Sequence, residues 1–448
     1  MPAFAFSQFD HLVKVPGEEA WALYNFATGR IAKLGDQQRK LFAATPYLPD
    51  DSPVARQLLE AGFLTNRDEA AAFREGVRAQ ICNQALGKTP STLVLTVVAT
   101  GACNFACPYC FQGRRTGRMP QDVQDALVRF VEARLAAGAY TGLRIKWFGG
   151  EPLLVPTVLE SLGAQFRALA AAREIPYSAS IYTNGYLLDQ DMADMLERES
   201  VDHVNISLDG VGEAHDATRH LVDGGSTYDR IMTNLRSLRT SLRFIVRVSM
   251  TRDNAHCLDA LSAELEGISR DTGLAYRLLP AAVRTVPVAT ERGDATAYLT
   301  PDEFARALEH SDIEEDNDDS FLPSWSACPI TRLNELYVDE RGDLFPSCMP
   351  LASYAEHRLG NVIELADGGS EEFWRKTAAH VADTYAFPDD PACHTCNLLI
   401  ACHGGCAFKR VTGTVQGEHN CPEYLRDPDG YVLERYRKSD LQHRITDS

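Results

Sequence analysis

The chain has 448 residues, 45% of them hydrophobic and 24% charged, with 12 cysteines and a formal net charge of −18. That length predicts two or three domains of ordinary globular composition, and the negative charge disfavours nonspecific binding to phosphate backbones. No stretch approaches the roughly 18 apolar residues of a membrane span, and no basic n-region with an apolar core opens the chain as a signal peptide would. A cytoplasmic protein without nucleic-acid or membrane partners is therefore expected. Cysteines bunched at close spacing favour metal ligation in a reducing compartment over a disulfide framework.

In the N-terminal part, His11 to Val15 and Trp21 to Tyr24 flank Gly17, and Arg30 to Leu34 follows the turn at Thr28-Gly29. These read as three short strands. Gln37 to Ala43, Pro53 to Ala61 and Asn66 to Leu86 read as helices, the second stopped by Gly62. Strands followed by helices predict a winged-helix-like unit over 1–88, ended by the linker Gly87-Lys88-Thr89-Pro90.

From 91 to 311 strands and helices alternate, which predicts a parallel sheet with crossover helices. Leu93–Val98 is continuous and β-branched, as a buried parallel strand should be. Further strands are expected at Leu143–Phe148, Ser178–Tyr182, His203–Leu208, Phe244–Met250 and Ala275–Leu279. Val123, Leu127, Phe130, Val131 and Leu135 form the apolar stripe of a helix. The acidic run from Asp312 to Asp319 reads as a solvated linker. Beyond it, 320–430 is rich in cysteine and 431–448 reads as a tail.

Directly after the first of these strands come Cys103, Cys107 and Cys110, spaced CxxxCxxC. Three thiolates on one loop suit an iron–sulfur cluster, which normally takes four ligands, so one iron stays open. A zinc site or scattered buried cysteines is the plainer alternative. The second strand ends in Gly149-Gly150-Glu151-Pro152, where glycines permit close backbone approach and a carboxylate accepts hydrogen bonds. The third ends in Thr183-Asn184-Gly185 and the fourth in Ser207-Leu208-Asp209-Gly210. Both place small polar groups at the C-terminal mouth of the sheet, where such folds build their sites. Arg247 lies on the fifth strand, either toward the site or outward on the surface. His215, Asp216 and Arg219 either orient a substrate or close a loop through local hydrogen bonds.

With Tyr109 before its third cysteine, this loop resembles the cluster loop of the radical S-adenosylmethionine (SAM) enzymes. The resemblance implies a partial (β/α)6 TIM barrel and a [4Fe–4S] cluster held by Cys103, Cys107 and Cys110, with SAM chelating the open iron. It also implies that Gly149, Gly150 and Glu151 meet the SAM amino group, that Asn184 and Ser207 reach its ribose and carboxylate, and that Arg247 pairs with the carboxylate. Asp209 is expected either at that site or as the cap of the following turn.

The C-terminal part carries a second signature. Cys393, Cys396, Cys402 and Cys406 are spaced CxxCxxxxxCxxxC, with Cys421 beyond and Cys328 and Cys348 before. Seven cysteines exceed one tetrahedral zinc site. They resemble the SPASM extension, which binds two auxiliary [4Fe–4S] clusters, although Gly342 precedes Cys348 by one residue more than is usual there. The resemblance implies that Cys393, Cys396, Cys402 and Cys421 hold one cluster and Cys328, Cys348 and Cys406 the other. Ile330 to Tyr337 offers no fourth cysteine, so that second cluster has an open iron or an unidentified ligand. An open iron suits a substrate thiolate. Cys82 and Cys257 remain and read as small buried hydrophobes.

The expected protein is an α/β enzyme with a winged-helix-like N-terminal domain, a partial barrel and a C-terminal iron–sulfur domain. By resemblance it is a radical SAM peptide maturase with three [4Fe–4S] clusters and SAM. It would generate a 5′-deoxyadenosyl radical and form a thioether or carbon–carbon crosslink in a ribosomally made peptide. The N-terminal unit resembles the elements that hold a precursor's leader along an exposed strand edge; a structural cap or a DNA-binding wing are its alternatives. An external donor such as flavodoxin or ferredoxin would supply electrons. One rival is an anaerobic sulfatase-maturing type of enzyme, which carries an aspartate where Met349 stands here. A second is a noncatalytic iron–sulfur electron carrier, which leaves the strand-end motifs without purpose. A third is a redox-sensing DNA regulator, opposed by the acidic charge.

Overall fold

A computed structural model describes residues 3–36, 38–40, 47–49, 53–65, 68–112, 115–283, 299–308, 328–387, 391–413 and 427–439. The chain divides into two compact units. One comprises Met1–Cys82, Asp316–Thr331 and Ala378–Ser448; the other comprises Asn83–Glu315 and Arg332–Thr377. Each unit thus draws on separated stretches of chain, unlike the linear division expected from the sequence. The acidic run at 312–319 and Cys421 lie outside the described residues.

In the first unit, β1 (Ala3–Phe6) pairs antiparallel with both β5 (Tyr47–Pro49) and β6 (Leu64–Thr65). The expected strands form a separate antiparallel meander, β2 (Asp10–Lys14), β3 (Trp21–Asn25) and β4 (Ile31–Leu34), with β4 at its edge. The helices α1 (Pro53–Glu60) and α2 (Glu69–Ala85) match the second and third expected ones. The first, at 37–43, falls largely outside the described residues. Leu23, Ala32, Leu34, Leu58, Ala61 and Phe63 make one apolar core, so the alternation along β4 is satisfied from one side, whereas β3 is buried on both faces from Ala22 to Asn25. The stretch read as a tail from 431 begins inside a helix, Pro428–Lys438. Its Tyr431 stacks on Phe26 with ring centroids 6.3 Å apart, and its Tyr436 hydroxyl donates to Glu18 at 3.0 Å.

The second unit is built on the six expected strands: β7 (Ser91–Thr100), β8 (Tyr140–Gly149), β9 (Tyr177–Thr183), β10 (Val201–Ser207), β11 (Arg243–Met250) and β12 (Ala275–Ala282). They pair in chain order and all run parallel. The helices α3 (Gln121–Ala137), α4 (Pro156–Ala171), α5 (Gln190–Arg198), α6 (Tyr228–Ser237) and α7 (Leu258–Thr272) lie between them in sequence. Parallel strands covered by helices must be apolar throughout, and β7 is buried from Leu93 to Thr100. The predicted stripe of α3, from Val123 to Leu135, is buried.

Three strands were not expected here. β13 (Glu335–Val338) pairs parallel with the free edge of β7, Leu336 beside Leu95, and β14 (Asp343–Pro346) and β15 (Gly360–Asn361) continue antiparallel. The sheet therefore has nine strands, and part of the cysteine-rich sequence extends it. Among the described residues no helix is long and apolar enough to cross a membrane.

Candidate functional site

The cluster loop leaves the C-terminal end of β7, where parallel sheets gather their functional groups. It is fixed on both flanks by backbone. Gly101 N–H donates to Gly117 O at 3.2 Å, and Met119 N–H to Ala99 O at 2.9 Å. On the other side Ala106 N–H donates to His220 O and Val222 N–H to Asn104 O, both at 3.0 Å. Cys103 and Cys107 are half-buried and Cys110 is exposed. Burial pushes the Cys103 thiol up to about 12, with Glu151, Cys107 and Cys110 adding repulsion. Burial likewise raises Cys107, against the opposing pull of the Arg219 cation. Metal binding at Cys103 and Cys107 must therefore displace thiol protons. Among the described residues no three His, Cys, Asp or Glu groups stand together as a metal site. The loop's three soft sulfurs at one strand end suit a polynuclear iron–sulfur centre.

Gly149 and Gly150 make their close approach to this loop. A Cβ on Gly149 would lie 2.3 Å from Thr100 O, and one on Gly150 only 2.2 Å from Ala102 O. The space is taken because Gly150 N–H donates to Thr100 O at 3.0 Å and Glu151 N–H to Ala102 O at 2.8 Å. Gln112 Nε2 adds a bond to Gly149 O at 2.9 Å. Side-chain-free backbone is thus what lets the end of β8 grip the start of the cluster loop.

Glu151 is fully buried, and its carboxylate is already occupied by the chain. It accepts from Leu153 N at 2.9 Å, Thr183 Oγ1 at 2.7 Å and Asn184 N at 2.7 Å. Burial raises its pKa and those three bonds oppose the rise. Its evident work is to tie the end of β8 to the end of β9. Asn184 carries the tie onward, donating from Nδ2 to Asn104 Oδ1 on the cluster loop at 2.8 Å. Ser207 and Arg247 stand side by side in the β10–β11 register, Ser207 half-buried and Arg247 exposed. The Arg247 charge also acts on Tyr182 of β9. The two groups expected at a SAM carboxylate are therefore neighbours.

A network that no local pattern signals joins the loop to β10. Asp209 is fully buried; its Oδ2 accepts from the Tyr109 hydroxyl and from Thr218 Oγ1 (3.3 Å), and its Oδ1 from Ser249 N at 3.2 Å. Arg219 donates to the Tyr109 hydroxyl at 2.8 Å and stands 3.9 Å from Asp209. Asp209 thus anchors the cluster loop. Tyr109 and Asp209 were each visible in a motif, but their pairing spans a separation of 100 residues. His215 is wholly buried and closes the loop that supports this network. Its Nδ1 accepts from Asp209 N at 3.2 Å, and its Nε2 lies 3.2 Å from Thr227 Oγ1. Burial depresses its pKa to about 3, so it is neutral. Asp216 accepts from Thr227 N and Tyr228 N at 2.7 and 2.9 Å at the start of α6. Of the two expectations for His215 and Asp216, local closure is what the bonds describe.

In the first unit, burial lowers the pKa of Arg410, and Cys406, Cys328, Cys393 and Cys402 oppose that shift. Cys396 lies one turn beyond Cys393, its N–H donating to Cys393 O at 3.3 Å. Cys348 belongs to the second unit, where it follows β14 and precedes a 3-10 turn. The next residue, Met349, packs against the apolar cluster of Val98, Phe148, Tyr337 and Phe345. Cys257 is buried as expected and Cys82 partly so.

Residues 97–261, which lie in the second unit, match the radical SAM superfamily. Among curated proteins, the chain is 29% identical over 218 residues to GTP 3′,8-cyclase of Synechococcus sp. (strain CC9902), covering 46% of this chain and 59% of that one. It is 27% identical over 180 residues to a cysteine-type anaerobic sulfatase-maturating enzyme of Clostridium novyi (strain NT), covering 38% and 47%. The chain thus spans about half the length of these relatives. Among solved structures, native anSMEcpe with bound AdoMet and Cp18Cys peptide aligns with a TM-score of 0.57 at 19% identity, over 78% of this chain and 97% of that one. SuiB of Streptococcus suis bound to precursor peptide SuiA aligns with a TM-score of 0.51 at 13% identity, over 94% and 100%. Likeness at such identity speaks for a shared fold.

Proposed function

We propose that this chain is a radical SAM peptide maturase that forms a thioether or carbon–carbon crosslink in a ribosomally made peptide. The observation that carries the reading is the convergence of four consecutive strand ends, β7 to β10, on one three-cysteine loop. Backbone grips it from Gly149 to Glu151, and side chains from Asn184 and Asp209. When bound, a [4Fe–4S] cluster with SAM supplies a carbon radical able to remove hydrogen from an unreactive carbon. Cys103, Cys107 and Cys110 hold that cluster, the Gly149–Glu151 backbone and Asn184 frame the cofactor, and Ser207 and Arg247 meet its carboxylate. Cys393, Cys396, Cys402 and Cys421 hold one auxiliary cluster, and Cys328, Cys348 and Cys406 the other. A flavodoxin or ferredoxin is the expected electron donor.

Two features favour a peptide substrate. The structural neighbours include forms solved with the peptides SuiA and Cp18Cys. The N-terminal meander ends in a strand, β4, that pairs with no further strand among the described residues and so suits a leader added at its edge. The sulfatase-maturing reading is supported by the match to the Clostridium novyi enzyme, but Met349, packed among aromatic rings, offers no base at the position where that class carries an aspartate.

The test is anaerobic reconstitution, iron counting, and an assay for 5′-deoxyadenosine after adding SAM and dithionite. About 12 irons, as three [4Fe–4S] clusters require, with deoxyadenosine formed would support the proposal. Iron-loaded protein that forms none, with candidate precursor peptides present, would replace it with the electron-carrier reading.

A further inference from the structure

The cluster loop runs antiparallel beside the segment that ends at Val222. Phe105 pairs with Leu221, flanked by Ala106 N–H donating to His220 O and Val222 N–H donating to Asn104 O, both at 3.0 Å. Two residues farther in that register stand Cys107 on one side and Arg219 on the other. The contacts of the Arg219 side chain agree with this placement. Its guanidinium carbon lies 5.9 Å from the centre of the Phe105 ring, and its Nη1 donates to the Tyr109 hydroxyl at 2.8 Å. Phe105 and Tyr109 flank Cys107 two residues to either side, so the guanidinium is held along the stretch that carries this cysteine. Its backbone is fixed as well. Arg219 N–H donates to His215 O at 2.9 Å, and Thr227 Oγ1 donates to Arg219 O at 2.5 Å.

Arg219 is only 9% exposed, yet its Nε–H meets no hydrogen-bond acceptor among the described residues. A buried donor left unmade is costly, more so on a charged group, and such an orphan asks for a ligand or a water to complete it. The nearby carboxylate does not fill the gap. Asp209 accepts from the Tyr109 hydroxyl, Thr218 Oγ1 and Ser249 N, and stands 3.9 Å from Nη1, beyond hydrogen-bond reach. What the register offers instead is sulfur, from Cys107 and from the centre that Cys107 would ligate. The Arg219 cation already acts on that thiol, against the effect of burial. Hydrogen bonds to the sulfurs of an iron–sulfur cluster are among the groups that set its potential.

We propose that Arg219 is a cofactor-binding residue whose Nε–H donates to a sulfur on the Cys107 side of the loop's cluster. This rests on the cluster reading given under the proposed function. The planar fork of arginine lets one side chain serve Tyr109 through Nη1 and sulfur through Nε, whereas a lysine ammonium keeps the charge and loses the fork.

The experiment uses the full-length protein labelled with 15N-arginine, reconstituted anaerobically and reduced with dithionite, and read by pulsed electron paramagnetic resonance. The loop's cluster is the part of the signal that changes when SAM is added, because under that reading SAM chelates its open iron. The result expected is a 15N coupling on the SAM-sensitive signal that is absent from Arg219→Lys. The midpoint potential of that signal should also be more negative in Arg219→Lys and Arg219→Gln than in the parent. A SAM-sensitive signal in the parent without arginine coupling would overturn the proposal, and so would a coupling that persists in Arg219→Lys. If neither variant holds iron at the loop, the parent's own coupling decides, upholding the proposal when present and overturning it when absent. A parent protein with no SAM-sensitive signal would instead refute the cluster reading itself, an outcome read before any label or variant is compared.

Discussion

At the scale of single residues, the site depends on groups whose polar capacity is spent inside the protein. Glu151 and His215 sit in motifs that invite a catalytic reading, yet each is buried and bonded to its own chain. Their burial has a consequence for acid stability. His215 is held neutral in the folded protein, with a pKa of about 3 against an ordinary 6.5. Below pH 6.5 the unfolded chain binds a proton that the folded chain refuses, so stability falls as the pH drops. The loss is about 1.4 kcal/mol per pH unit from this group alone. Urea unfolding between pH 6.5 and 5 should show this slope, and His215→Gln should flatten it by roughly that amount. Equal slopes in the two proteins would place the acid sensitivity elsewhere. From sequence, the identity of these residues was plain but their partners were not. Asp209 could be read as a turn cap because its true partners, Tyr109 and Ser249, stand 100 residues before it and 40 after.

At the scale of elements, the cluster loop is a segment with little secondary structure of its own, held in place by its neighbours. Glycines at 149 and 150 are required by the contact of the end of β8 with Thr100 and Ala102. A methyl group on Gly150 has no room, and the resulting overpacking should cost about 1–3 kcal/mol. Under the proposed assignment, Gly150→Ala should also lose the loop's cluster, about four irons, while the proposed C-terminal clusters stay loaded. Iron analysis with thermal unfolding checks both. Full iron at an unchanged melting temperature would show that the strand end does not hold the loop. The glycines were read in the sequence as permitting close backbone approach, and on their Cβ side the backbone approached is that of Thr100 and Ala102. Motif spacing reports that close approach is needed and leaves open what approaches.

At the scale of the whole molecule, the six parallel strands were legible because Leu93–Val98 is a continuous apolar run and strand-like and helix-like stretches alternate after it. The antiparallel meander near the N-terminus was legible from short apolar stretches set apart by the turns at Gly17 and Gly29. β13, β14 and β15 were not, being short and embedded in a region dominated by cysteine spacing. Nothing local reveals that Leu336 pairs beside Leu95. The meander also yields a prediction. If a leader adds to the edge of β4, the amides of Ile31–Leu34 should exchange with deuterium more slowly when the precursor is present. Protection confined to other segments would move the leader site away from this strand.

The attachment of β13 to β7 also bears on how the protein is made. β7 is buried from Leu93 to Thr100, and its outer edge is covered by a segment beginning 235 residues after Thr100. At ~5–20 residues per second of synthesis, that edge waits on the order of ten to fifty seconds for its cover. During translation the nascent chain therefore presents a long, flat, hydrophobic strand edge of the kind that templates aggregation. Production of this protein should accordingly gain from slow, cool expression or from chaperones that engage the chain before its last third emerges.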